Sequence, residues 1–190
     1  MNGIFVASIV YQACYSRYSG PIASDMSNHR ELVSLATEVL RALKHRGLTL
    51  AVAESCTGGL IGHVLTEIPG SSEVFLGGAI TYNNRLKAQL GVDAAVLEDE
   101  GAVSARVAEM MAACVREQTG ADIGLAVTGI AGPGGGSETK PVGLTYVAVG
   151  DIAGVTTEGH IWRADRSTNK LLSVGAALKL VLARLGQSEQ

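Results

Sequence analysis

Apolar residues follow two rhythms along the 190-residue chain. Leu32, Val33, Leu35, Ala36, Val39, Leu40 and Leu43 recur at helical spacing, Gly47 ends the run, and Asn28 with Glu31 supplies a capping arrangement at its start. Residues 48–53 are a short unbroken apolar run, the mark of a strand buried on both faces. The pattern then predicts a helix over 58–68 that Pro69-Gly70 stops, a strand over 74–81, and one or two helical turns over 84–90. Ser104 caps a helix running to about Thr119, and residues 122–127 form a third buried strand. After a glycine-rich loop over 128–141, two runs at 143–150 and 155–162 are joined by a short connection containing Gly154, which predicts an antiparallel pair. Ser167 caps the last helix. Five strands interleaved with helices predict an α/β layered domain, its sheet mixed because of the late hairpin.

Residues 1–25 depart from this order. Tyr11, Tyr15 and Tyr18 crowd three of the five tyrosines into one short segment, and no basic residue precedes the apolar run at 3–10, so the charged start of a signal peptide is missing. The expectation is an amino-terminal extension over 1–25 outside the fold, followed by one domain over 26–190.

Composition narrows the function. Lys and Arg number 15 against 18 Asp and Glu, a net charge of −3, and aromatics make up 4% of the chain. Neither a polyelectrolyte footprint nor a base-stacking platform for nucleic acid is present. No run of 18 apolar residues exists to span a membrane. Cys14, Cys56 and Cys114 form no C-x-x-C, so no disulfide framework or structural zinc is expected, and a reduced, cytoplasmic compartment fits. No metal or cofactor is implied.

Two segments could carry chemistry, each following a buried strand. In Ala53-Glu54-Ser55-Cys56-Thr57-Gly58-Gly59, Ser55 would enter the crevice beyond a strand's carboxyl end, next to the unpaired N–H groups of a helix start. Spacing alone does not separate this from Ser55 or Thr57 acting only as a helix cap. The second segment, residues 128–137, is a glycine-rich loop whose amides could cradle an anion, or simply a long connection. It is neither a Walker loop nor a dinucleotide fingerprint. Ser137-Glu138-Thr139-Lys140 matches S-x-x-K, but Pro141 and the preceding glycines disfavour the helical turn that chemistry requires. None of His29, His45, His63 and His160 is well placed to serve Ser55. A buried lysine is the alternative base. Lys87, with Tyr82, follows the second strand and could face the same crevice; a surface lysine and a packing tyrosine are the bland reading. Cys56 is a second candidate nucleophile.

The strings 53–59, Gly70-Ser71-Ser72, Thr81-Tyr82-Asn83 with Lys87, Gly101-Ala102-Val103-Ser104, Thr128-Gly129-Ile130-Ala131-Gly132-Pro133 and Lys140-Pro141-Val142-Gly143 together resemble the CinA carboxy-terminal domain family, in the same order over about residues 28–186. The chain is too short to hold the pyrophosphatase-like amino-terminal domain of longer members. The resemblance implies a three-layer α/β/α sandwich with a mixed, mainly parallel five-stranded sheet. It implies hydrolysis of the carboxamide of nicotinamide mononucleotide to nicotinate mononucleotide and ammonia, in pyridine nucleotide recycling. By the same resemblance Ser55 is the nucleophile, Lys87 the base and Tyr82 their neighbour. Thr57, Gly58, Thr128, Gly129, Gly132 and Arg166 are substrate-contacting positions. Ala164 stands where glycine is frequent before that arginine. A homo-oligomer is also implied, with no interface legible in the chain. The competing expectation is a catalytically silent nucleotide-binding or regulatory module of the same fold.

Overall fold

The structure is a computed structural model that describes residues 21–187, with side chains from 28 to 186. Most of the expected extension, residues 1–20, lies outside the described residues. The first helix, α1, spans Pro21–Arg46 and so begins seven residues before the expected Asn28 start. Proline is tolerated in a first helical turn, and nothing between Pro21 and Asn28 breaks a helix. The described residues from Leu32 onward form one compact unit.

The remaining elements follow in order: β1 Leu50–Glu54, α2 Leu60–Thr66, a 3₁₀ turn Ser71–Glu73, β2 Phe75–Ile80, α3 Asn84–Leu90, α4 Ala94–Asp99, α5 Ala105–Thr119, β3 Ile123–Gly129, β4 Leu144–Asp151, β5 Gly154–Ile161 and α6 Arg166–Gln187. The sheet order is β2-β1-β3-β4-β5. β1 pairs in parallel with both β2 and β3, whereas β3–β4 and β4–β5 are antiparallel. Four strands therefore run one way and β4 runs against them, so the sheet is mainly parallel in strand direction but evenly divided in its ladders.

Strand alternation gives the two faces of the sheet different depths. Leu50, Val52, Leu125, Val127, Val147 and Val149 face α1, α2 and α6 in one core, with Leu43, Ile61, Val64, Leu178 and Val181. Ala51, Ala53, Ala126 and Ala148 face α5 in the other, against Val107, Met111 and Val115. The small side chains on this second face let α5 approach closely. At Gly124 a Cβ would lie 2.0 Å from the backbone oxygen of Ala112 in α5. No helix among the described residues is long and apolar enough to cross a membrane.

Candidate active site

From β1 the chain moves to β2 on one side and then returns to β3 on the other, so β1 is the topological switch point where an open α/β sheet offers a crevice. The ladders hold the strand ends level: Glu54 stands opposite both Ile80 and Val127. Beyond them, Ser55 N donates to Val127 O at 3.0 Å and Thr81 N to Glu54 O at 2.7 Å. Ser55 is thereby fixed between the ends of β2 and β3.

Lys87 reaches the same point from α3, a helix started by the Asn83 side chain, which accepts from Arg85 N at 2.9 Å. Its side chain is 1% exposed, making it one of the largest fully buried side chains. Lys87 Nζ donates to Thr81 O at 2.7 Å and lies 3.0 Å from Ser55 Oγ. Burial pushes the ammonium below its ordinary value of 10.5, with the nearby Cys56 sulfur pulling weakly the other way. A neutral amine here can donate to Thr81 and turn its lone pair to the Ser55 hydroxyl. Cys56 is also buried, but desolvation pushes its thiol up to about 11, so its sulfur stays protonated near neutrality.

Glu54, adjacent to the serine, is 1% exposed and went unrecognised as a site residue in the sequence. Its carboxylate accepts from Thr57 Oγ1 at 2.6 Å, Gly59 N at 3.0 Å, Ile61 N at 3.1 Å and Gly62 N at 2.8 Å. This corrects the expectation that the α2 start offers free N–H groups to an oxyanion, because an internal carboxylate already occupies them. The amides of Cys56 and Thr57 lie instead against the Cys56 sulfur. No ion pair joins Glu54 to Lys87, so the amine keeps no carboxylate that would hold it charged.

A cavity of about 250 Å³ opens over the Ser55–Lys87 pair. Tyr82, Thr128, Gly129, Gly132 and Arg166 line it, joined by Ala102, Val103 and Ile130. Thr57 and Gly58 do not: Thr57 is completely buried with its hydroxyl on Glu54, and Gly58 makes the turn at φ 68°. They shape the Ser55 loop rather than the cavity wall. Thr128 is equally buried and donates to Ala102 O at 2.7 Å, tying β3 to the segment before α5. Tyr82 is exposed, and its hydroxyl accepts from Arg166 Nη2 at 3.0 Å. Arg166 Nη1 donates to Gly132 O at 2.8 Å.

The glycine-rich loop is braced, not slack. Ile130 N and Gly143 N bond across to Leu144 O and Ile130 O, and Lys140 Nζ donates to Glu100 O. Ser137 and Lys140 sit in irregular chain rather than on one helical turn, as Pro141 led us to expect. Asn169, 1% exposed, donates to Ala131 O and Ala164 O, both at 3.0 Å. Two polar residues on the buried stripe of the last helix, Asn169 and Ser173, were the sequence signal for this brace. His63 lies 3.3 Å from Glu67 and His160 stacks on Trp162, and neither lines the cavity. Among the described residues no group of three or more His, Cys, Asp or Glu is arranged to hold a metal ion.

Comparison with known proteins agrees with this architecture. The family model described as the CinA C-terminal domain matches residues 32–185. A CinA-like protein of Synechococcus sp. (strain RCC307) is 54% identical over 155 residues, covering 80% of this chain and 37% of its own length. The CinA-like protein of Acidobacterium capsulatum is 52% identical over 148 residues, covering 77% of this chain and 36% of its own length. The chain thus spans about a third of these curated relatives. Among solved structures, the competence/damage inducible protein CihA from Agrobacterium tumefaciens superposes with a TM-score of 0.79 at 41% identity, covering 82% of this chain and 96% of that one. A CinA superfamily protein from Klebsiella pneumoniae 700603 gives 0.79 at 30% identity, covering 82% and 98%.

Proposed function

Since this chain belongs to the CinA C-terminal domain family, and since its serine and buried lysine stand 3.0 Å apart, we propose that it is an amidohydrolase that deamidates nicotinamide mononucleotide. The observation that carries the reading is the desolvated Lys87 amine on the Ser55 hydroxyl, a nucleophile with its base and without histidine. Neutral Lys87 takes the Ser55 proton as the oxygen adds to the carboxamide carbon. Collapse of the tetrahedral adduct expels ammonia, which receives its proton from the Lys87 ammonium, and leaves a nicotinoyl ester on Ser55. Water, deprotonated by the same amine, hydrolyses that ester to nicotinate mononucleotide and frees the serine. By the resemblance Tyr82 is the neighbour of the pair, a position from which a tyrosine could relay the proton. Its engagement with Arg166 instead favours a role in shaping the mouth.

The decisive measurement is ammonia release from nicotinamide mononucleotide. The wild-type chain should turn over, and Ser55→Ala should lose on the order of 10³-fold or more in kcat while still binding substrate. Full turnover by Ser55→Ala would eliminate the serine mechanism. Thermal stabilisation by the nucleotide without any ammonia would identify a silent binding module instead.

A further inference from the structure

The geometry points to Lys170 as the residue that reads the phosphate of the substrate, an inference that rests on the mononucleotide reading above. The cavity, at about 250 Å³, falls below the ~300–1,000 Å³ that encloses a drug-sized ligand. A carboxamide ring seated at Ser55 therefore leaves the distal end of a mononucleotide at the rim. There Arg166, one of the expected substrate contacts, commits one N–H to Gly132 O and one to Tyr82 OH, and these bonds fix the direction of its remaining donors. It braces the glycine-rich loop against the end of β2.

Lys170 lies four residues further along α6, on the same helical face as Arg166. Its ammonium extends over the turn that carries the nucleophile: a Cβ placed on Gly58 would be 3.9 Å from Lys170 Nζ, and Gly58 N donates to Ser55 O at 3.0 Å. Lys170 is half-buried and makes no hydrogen bond or ion pair among the described residues. Glu54 and Asp165 keep their charge but set their oxygens on other donors, Glu54 on the α2 amides and Asp165 on Thr168. Among the described residues no carboxylate lines the cavity. A half-buried cation that makes no ion pair among the described residues, one helical turn from Arg166 at the rim of a cavity it does not itself line, favours a ligand that brings its own anion. The ligand class is a phosphomonoester, and Lys170 sets the preference for the nucleotide over the phosphate-free nucleoside.

The test compares Lys170→Met, Lys170→Arg and wild type on nicotinamide mononucleotide and on nicotinamide riboside. For Lys170→Met we expect KM for the nucleotide to rise at least tenfold with kcat little altered. The kcat/KM ratio of nucleotide to riboside should fall by the same factor. Lys170→Arg should restore most of it. Calorimetric titration of nicotinamide mononucleotide into Ser55→Ala, with and without Lys170→Met, reads the same loss as affinity without requiring turnover. An unchanged ratio and affinity in Lys170→Met, or an equal loss on both substrates, overturns the role of Lys170 and leaves the amidase reading standing. Failure of wild type and Ser55→Ala alike to bind or hydrolyse the nucleotide overturns both.

Discussion

A lysine side chain 1% exposed, with no carboxylate paired to it, holds its proton less firmly than one in water. Catalysis by Lys87 needs the neutral form, so kcat/KM should climb with pH along an acid limb whose midpoint lies below 10.5. Stability carries the same signature. Because the folded value is lowered, the unfolded chain binds more protons between the two values, and stability rises with pH across that window. Below the folded value the full penalty of charging a buried amine is present. Urea midpoints of the wild-type chain should therefore increase from neutral pH towards 10.5, and Lys87→Met, which has nothing to ionise there, should show a flatter profile. An equally steep rise in Lys87→Met would assign the effect to other groups. Ser55 and Lys87 were legible as candidates because each follows a strand end. Their 3.0 Å approach was not, because it joins two residues 32 positions apart through the placing of a separate helix.

At the scale of elements, the Ser55 turn and α2 are held together by one carboxylate. Gly59 has no side chain to cap the helix, and Glu54 supplies the missing acceptor from the strand before it. Glu54→Gln keeps the shape but turns an NH₂ group towards N–H donors. It should cost about 1–3 kcal/mol of stability in urea unfolding and lower kcat as the serine loosens. An unaltered unfolding midpoint would mean the carboxylate is dispensable as a cap. A long-range cap of this kind leaves no trace in helix-start statistics, which look for Ser, Thr, Asp or Asn beside the helix. The last helix shows a milder version: Asp165 Oδ1 accepts from Thr168 N, so Asp165 is the cap and Ser167, the expected one, lies inside α6. The six-residue α4 escaped notice because none of its residues is buried and no apolar period announces it. The long helices α1 and α5, which bury a full stripe, were plain in the pattern.

Across the whole molecule, alternation within the strands was readable as burial on both faces, but not as two cores of unequal depth. That depends on which residues of adjacent strands come level, as Ala51 does with Gly124 and Val52 with Leu125. On the deep side, Leu125→Ala should open a void and cost roughly 2–5 kcal/mol in denaturant unfolding. On the shallow side, Gly124→Val must displace α5, since even a Cβ would meet Ala112 O at 2.0 Å, and we expect a comparable or larger loss. Measured side by side, the two substitutions should both lower the midpoint, and a neutral Gly124→Val would show that α5 is free to drift. The same sheet thus fails in two ways on its two sides, by a void where Leu125 is cut back and by overlap with α5 where Gly124 gains a side chain. Any attempt to redesign this protein by repacking its interior would need two different size rules for neighbouring positions of a single strand.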